Sequence, residues 1–236
     1  MAVELTLRWP YAPFDPRSDS WAVSQRINRP ALNRREMLQR CAALGFLCGG
    51  GGSFGSVAEA FGQAELRKAA TPPNEMGPFY RRNAPSQSVL RAPNDPGLPL
   101  TVVGSVWDVR GELRPDATIE VWQADHEGRY DLEGYRYRAL LRTDSKGGYQ
   151  FESVIPGHYP DRVAQHVHYL VRAPGCRPLV TQLYFATDPA FEGDPDHHYG
   201  KDPLVLSRGL IRPVLLAGEP GQPVARVTFE LCLERM

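Results

Sequence analysis

The sequence has few cysteines and no excess of charge of either sign. Its four cysteines are far apart and none forms a C-x-x-C pair, which argues against a zinc knuckle, a dithiol redox motif and a disulfide framework. The 27 basic and 27 acidic residues cancel, so we expect no nucleic-acid partner and no attraction to an anionic membrane. No apolar run approaches the ~20 residues that span a bilayer, and we expect no membrane span. These absences favour small-molecule chemistry.

Long helical periods are also missing after Ala70, which disfavours parallel α/β folds with crossover helices. From Leu98 onward the sequence contains eight candidate strands, separated by turn sequences such as "DSKGGY" and "AGEPGQP". This pattern predicts an all-β fold with an antiparallel β-sandwich core. The proline-rich segment "TPPNEMGPFYRRNAPSQSVLRAPNDPG" is expected to wrap the sandwich as an ordered loop. We assign residues 71–236 to this domain.

Residues 1–70 differ from the rest of the chain. The stretch "NRREMLQRCAALGFLCGGGGSFGSVAEAFGQA" has a basic start, a weakly apolar middle and small residues near its end, which is the layout of an export signal. Arg34-Arg35 resembles the twin-arginine signal, so we expect an exported or periplasmic protein. The alternative is a disordered tail on a cytoplasmic protein, because Met1 to Asn33 is a long leader and Gly49 to Gly52 interrupt the apolar run.

Two histidines, His166 and His168, occupy alternate positions of the predicted strand "QHVHYLV". Their imidazoles therefore lie on one face, roughly 7 Å apart at the backbone, and can share a metal ion. The alternative is a pair of ordinary histidines on a solvent-facing strand. No carboxylate stands near them as a two-His-one-carboxylate iron(II) site requires. The adjacent His197-His198 are not expected to bind metal, because Asp and Gly around them indicate a loop.

Two tyrosines stand in turns, Tyr130 in "WQADHEGRYD" and Tyr159 in "IPGHYPDR", each two residues after a glycine. A free tyrosine titrates near pH ~10, but a trivalent cation favours the ionised oxygen. Two phenolates and two imidazoles would form a hard, electron-rich shell that suits iron(III). Either tyrosine alone could instead be a turn residue that anchors its hydroxyl.

Four separate segments, "IEVWQADHEGRYD", "RTDSKGGYQFESVIPGHYP", "QHVHYLV" and "TQLYF", follow the order found in the intradiol ring-cleavage dioxygenases. The chain resembles this family, which includes protocatechuate 3,4-dioxygenase and catechol 1,2-dioxygenase, over about residues 71 to 190. The resemblance implies a β-sandwich with the metal at one side. It also implies one iron(III) per chain, held by Tyr130, Tyr159, His166 and His168.

The resemblance further implies a reaction with a small catecholic substrate and O2. The substrate would bind iron(III) through both oxygens and displace the axial tyrosinate, Tyr159, whose phenolate can take a proton. Dioxygen would attack the ring, and cleavage between the hydroxylated carbons would give a muconate-type product. Gln182 matches a family glutamine near the site. The family segment that lines the substrate pocket matches Met76, Gly77, Pro78, Phe79 and Tyr80.

One family feature is displaced in this sequence. Members usually carry an arginine three residues before the first histidine ligand, where it stabilises electron density on the substrate ring, but that position is Val163. Arg162 could take over this catalytic role, although a one-residue offset can also turn a side chain away; Gln165 is a neutral alternative. The displacement keeps a second hypothesis open, a weakly active or non-catalytic iron-binding module. A third hypothesis, a zinc hydrolase built on the two histidines, is disfavoured because the sequence lacks the carboxylate and the water-activating partner that such a site needs. A homo-oligomer remains possible.

Overall fold

The computed structural model describes residues 68–160, 162–219 and 221–236. The proposed export segment lies outside the described residues, apart from 68–70, so its assignment and the division at residue 70 stay predictions. Ten strands are described: β1 Pro99–Asp108, β2 Thr118–Trp122, β3 Arg138–Arg142, β4 Gly148–Val154, β5 His166–Arg172, β6 Leu179–Phe185, β7 Ile211–Arg212, β8 Leu215–Ala217, β9 Val224–Thr228 and β10 Leu231–Leu233.

Helices are few and short among the described residues. One α-helix, α1 (Pro195–His198), and three 3-10 turns (Pro189–Phe191, Tyr199–Lys201 and Arg208–Leu210) all lie between β6 and β7. No helix in the described part of the chain is long and apolar enough to cross a membrane.

The strands form two five-stranded sheets, which confirms the predicted all-β sandwich. Sheet A has the order β3-β2-β5-β6-β7; sheet B has the order β10-β1-β9-β8, with β4 also paired to β1. The antiparallel prediction holds for five of the eight pairings described, but β1–β9, β1–β10 and β6–β7 are parallel. The parallel partners are distant in sequence, and turn signals between consecutive strands carry no information about them.

Two predicted strands are each divided. The run "LIRPVLLAG" breaks at Pro213 into β7 and β8, which join different sheets; proline has no N–H to donate to a ladder. The run "VARVTFELCLE" breaks between Thr228 and Leu231 into β9 and β10. The eight predicted strands are therefore ten.

Alternation along the strands separates a core face from an outer face. On β5, Val167, Tyr169 and Val171 are fully buried in the core between the sheets. The histidines at 166 and 168 take the alternate positions and so face outward from sheet A, yet both are buried. The outer face of sheet A is therefore covered by other parts of the chain.

The proline-rich segment after Ala70 provides part of this cover, as predicted. It is ordered and runs across both sheets, since the N–H of Leu140 on β3 donates to Pro85 O and the N–H of Leu90 donates to Glu152 O on β4. Its first residues follow the edge of β6, where Asn74 N donates to Val180 O. The segment thereby brings residues 76–80 over the histidines.

Candidate metal centre and substrate site

Strand register places four polar and aromatic side chains in one row across the outer face of sheet A. Arg138, Trp122, His168 and Gln182 occupy facing positions on β3, β2, β5 and β6. The rings of Trp122 and His168 stack in parallel, with centroids 4.9 Å apart and planes at 3°. Because both rings are buried, this stack fixes the orientation of the His168 imidazole.

The four side chains expected to hold a metal converge on this face. The rings of His166 and His168 are 4.8 Å apart between centroids, and the Tyr159 hydroxyl lies 3.2 Å from His166 Nε2. The Tyr130 ring is 5.7 Å from that of Tyr159 and 6.5 Å from that of His168. The structure therefore brings together residues from two loops and one strand.

Glycine allows the two tyrosine loops to approach each other. Gly128 has a positive φ of 84°, and a Cβ placed on it would lie only 1.8 Å from the carbonyl oxygen of His158. On the other loop, Gly157 N donates to Asp125 O at 2.7 Å. A side chain at residue 128 would therefore separate the loops and move Tyr130 away from Tyr159.

Protonation states at the site suit metal binding. His166 Nδ1 lies 2.8 Å from the carbonyl oxygen of Ala164, to which it donates when neutral, so that Nε2 keeps its lone pair for a ligand. Burial, together with the charge of Arg162, lowers the pKa of His166 to about 4. Burial and His166 also hold the pKa of His168 well below its ordinary value. Both imidazoles are therefore neutral near pH 7.

Two buried polar atoms at the centre of the site lack hydrogen-bond partners among the described residues: the Tyr130 hydroxyl and His168 Nδ1. Such atoms are uncommon in folded proteins and indicate a function or a bound group. Burial raises the pKa of Tyr130 and of Tyr159, whereas a bound cation would favour their ionised oxygens. The donor set of two tyrosine oxygens and two neutral imidazoles therefore fits a trivalent cation such as iron(III).

The expected pocket segment packs directly on these side chains. Phe79 stacks on Tyr130, with centroids 4.2 Å apart and an interplanar angle of 16°, and meets Tyr159 edge-on at 6.1 Å. Tyr80 packs against Trp122 at 5.0 Å. A Cβ at Gly77 would lie 3.2 Å from His168 Cε1. These three residues therefore form a wall of the site.

The remaining two pocket residues lie farther out. Pro78 is exposed, and Met76 borders a groove of about 560 Å³ on the same sheet face, together with Tyr80, Glu120 and Arg172. In this groove the Tyr80 hydroxyl donates to Glu120 at 2.9 Å. The groove adjoins the wall of the site.

Arg162 faces inward and Val163 faces outward, which resolves the orientation that the displaced arginine left open. The Arg162 side chain is only 6% exposed, and its Nη2 donates to Gln182 Oε1 and to the Tyr184 hydroxyl, both at 2.9 Å. Val163 is 47% exposed. Gln165 is anchored through its backbone N–H, which donates to Asp188. The guanidinium thus lies beside the predicted glutamine.

Four more residues belong to the site and were not predicted: Trp122, Arg138, Tyr184 and Asp202. Tyr184 stands two positions after Gln182, so strand alternation alone places both on one face. Trp122 and Arg138 could be found only from strand register, which local sequence does not specify. Asp202 lies in the helical segment after β6, and nothing in the local sequence indicates that its side chain reaches the site.

Arg138 joins the pocket segment to the Tyr130 loop. Its guanidinium donates to the carbonyl oxygens of Phe79 at 2.6 Å and Asp131 at 3.1 Å, and it lies 5.9 Å from the centre of the Tyr130 ring. Because the side chain is almost completely buried, it holds both segments against the site.

The remaining histidine and acidic clusters have local explanations. His197 and His198 lie in α1, which corrects the expected loop; Asp194 at the helix N-cap accepts hydrogen bonds from the residue 197 backbone and ring. The ligand atoms of Asp125, His126 and Glu127 lie within 4.8 Å of one another. The Asp125 carboxylate, however, already accepts the backbone N–H of Glu127 and closes a turn.

Comparison with known proteins identifies relatives over most of the sandwich. A family model described as Dioxygenase matches residues 76–234. Hydroxyquinol 1,2-dioxygenase of Nocardioides simplex is 34% identical over 198 residues, which cover 72% of this chain and 66% of that protein. Catechol 1,2-dioxygenase 2 of Acinetobacter lwoffii is 31% identical over 187 residues, 67% of this chain and 68% of that protein. The chain thus spans about two thirds of the length of these relatives.

Solved structures agree with this comparison. The dioxygenase domain of a dioxygenase and carbohydrate-binding protein fusion from Streptomyces sp. SirexAA-E has a TM-score of 0.62 and 31% identity, and covers 71% of this chain and 100% of that chain. Catechol 1,2-dioxygenase from Acinetobacter sp. ADP1 has a TM-score of 0.61 and 25% identity, and covers 86% of this chain and 68% of that chain.

Proposed function

Because the chain belongs to the intradiol ring-cleavage dioxygenases, as its sequence motifs predicted, we propose that it is an iron(III)-dependent enzyme. The proposed reaction cleaves a catecholic ring between its two hydroxylated carbons, inserts both atoms of O2 and gives a muconate-type product. The observation that carries this proposal is the convergence of Tyr130, Tyr159, His166 and His168 around a buried tyrosine oxygen with no partner among the described residues.

The two tyrosines have different surroundings and, we propose, different roles. Tyr130 is clamped between Phe79 and the Arg138 side of the site, so it would remain a permanent ligand. Tyr159 lies on a loop beside exposed His158 and meets Phe79 only edge-on. Its oxygen is therefore the one suited to leave and to take a proton from a substrate hydroxyl.

The chemistry beyond proton transfer is divided between the cofactor and the protein. When bound, iron(III) supplies a Lewis acid and electron acceptor that makes the aromatic ring the activated partner. Arg162 stabilises negative charge that develops on the ring during attack by oxygen. Gln182 accepts a hydrogen bond from Arg162 Nη2 and keeps that nitrogen beside the site. The wall formed by Gly77, Phe79 and Tyr80 limits the space for the ring and excludes water.

For the substrate we propose catechol or hydroxyquinol, the compounds named for the relatives. The charge of Arg162 is already balanced by Asp202 at 3.3 Å, so little of it remains to attract a carboxylate substituent, although Nη1 can still donate a hydrogen bond. This argument favours rings without a carboxylate over protocatechuate.

Oxygen uptake tests the proposal directly. The iron-loaded protein is expected to be reddish from tyrosinate-to-iron(III) charge transfer and to consume one O2 per molecule of catechol or hydroxyquinol, with appearance of a muconate-type absorbance. Protocatechuate is expected to react more slowly. A coloured protein without uptake on any of these compounds would support the alternative, an iron-binding module of the same fold. A colourless protein after iron loading would refute the proposed ligand set.

A further inference from the structure

A buried carboxylate stands behind the proposed catalytic arginine. Asp202 lies in the helical segment between β6 and β7, and its side chain is 1% exposed. Its Oδ2 accepts hydrogen bonds from Arg162 Nε at 3.3 Å and from Ala164 N at 3.0 Å, while Oδ1 accepts from Leu204 N at 2.9 Å. Asp202 is therefore anchored to its own segment and reaches the short loop that precedes β5.

A second nitrogen of the guanidinium is held by β6. Gln182 Nε2 donates to Glu75 O at 2.8 Å, which orients the carboxamide so that its Oε1 accepts from Arg162 Nη2. The Tyr184 hydroxyl accepts from the same nitrogen. Nε and Nη2 are thus occupied, whereas Nη1 makes no hydrogen bond within the described residues. Nη1 is therefore the guanidinium nitrogen that neither Asp202 nor β6 holds.

Burying a guanidinium is costly unless a charge and hydrogen bonds compensate it. Asp202 is the acidic residue within salt-bridge distance of Arg162 in the described part of the chain. The next residue, Val163, faces solvent, so an outward direction is available to side chains of this loop. Without the carboxylate, the long Arg162 side chain would carry an uncompensated buried charge and would gain free energy by turning outward.

We propose that Asp202 is a positioning residue, which holds Arg162 inward and presents its free Nη1 corner to the substrate ring. The arginine that it holds stands one residue earlier than in the family pattern. The inference rests on the proposed function. It adds to that function a residue from a segment distant in sequence from the metal-binding motifs.

A double-mutant cycle tests this role. Arg162→Ala is expected to lower kcat with catechol about 100-fold, the typical effect of losing one well-aimed donor in a dry site. Asp202→Asn, which keeps the shape but removes the charge and one of the two acceptor oxygens, is expected to lower kcat about 10-fold. Because both changes remove the same contribution, the double variant is expected to be no slower than Arg162→Ala alone. If Asp202 had only a structural role, the two losses of kcat would instead multiply in the double variant.

Two further measurements separate positioning from damage to the site. Iron content and catechol affinity, read from the shift of the charge-transfer band, are expected to stay within about twofold of the parent in Asp202→Asn. Asp108→Asn is the matched control, because Asp108 is equally buried but lies on β1 and pairs with Arg114. Its effect on kcat, if any, is expected to multiply with that of Arg162→Ala.

The outcomes distinguish this inference from the proposed function. If the parent consumes oxygen but Asp202→Asn retains its full kcat, or if the losses multiply in the double variant, the positioning role is wrong and the proposed function stands. If the parent consumes no oxygen with any catechol, the proposed function fails and the positioning role fails with it. A loss of iron or of catechol binding in Asp202→Asn would also overturn the positioning role.

Discussion

Replacing Gly77 by alanine tests the contact between the pocket segment and the proposed ligand His168. An added Cβ would lie 3.2 Å from His168 Cε1, a few tenths of an ångström inside ordinary contact. His168 cannot yield easily on its other side, because its ring is stacked on buried Trp122. We therefore expect Gly77→Ala to displace the imidazole rather than be absorbed.

The magnitude has a backbone part and a contact part. Gly77 has a φ of 67°, and a non-glycine residue in that region costs about 1–2 kcal/mol. The loss of unfolded-state freedom offsets about 0.4–1 kcal/mol of this cost. The contact part acts on the metal: ligand distances tolerate only about 0.2 Å, and disturbing a group that orients a ligand typically weakens metal binding about 10–100-fold.

Gly175→Ala is the matched control, because Gly175 has a similar φ of 72° but no atom within 4 Å of an added Cβ. Both variants are expected to lower the Tm of the metal-free protein by a few degrees, at about 2–4 °C per kcal/mol. Only Gly77→Ala is expected to weaken iron binding, measured by competitive titration with a chelator and by charge-transfer absorbance. Equal iron affinity in both variants would refute the reasoning and show that the pocket segment moves outward instead.

Three other changes have expected results of their own. Tyr130→Phe removes a buried hydroxyl without a partner among the described residues, so we expect lower iron content and lost colour but a metal-free protein as stable as the parent or up to about 1 kcal/mol more stable; His197→Ala, by contrast, is expected to keep its iron. Burial alone would raise the pKa of Asp95, but hydrogen bonds from Ala92 N, Tyr137 and Arg136 outweigh burial and lower that pKa. The stability that the ionised carboxylate contributes is therefore present above about pH 4 and is lost as pH falls through its folded pKa. Asp95→Asn is expected to have a lower Tm than the parent at pH 7, and the difference in Tm between the two proteins is expected to narrow in acid. Replacing Arg34-Arg35 by lysines is expected to retain the protein in the cytoplasm on cell fractionation, and a wild-type protein found there with residues 1–63 intact would contradict export.

The residues of the proposed metal site could be predicted because they occur in short local patterns. The alternation of His166 and His168 follows from the two-residue period of a strand, and the glycines before Tyr130 and Tyr159 indicate the turns that carry them. Fold class was accessible for the same reason, since turn signals and apolar runs recur along the chain. The break at Pro213 was missed although proline is a local signal that ends a ladder, whereas the parallel pairing of β9 with β1 was missed because it depends on how separate segments meet.

The sequence by itself determined most of the strand runs, the two tyrosine turns and the histidine pair, because each arises from interactions between residues close along the chain. Only the tertiary structure decided the rest of the site. Trp122 and Arg138 join it through strand register, which buried packing across the sheet selects. The inward direction of Arg162 was open in the sequence, since a loop can turn a side chain either way. The inward direction is set by three buried partners, Asp202, Gln182 and Tyr184. A guanidinium is stable inside a protein only where a negative charge and hydrogen-bond acceptors surround it.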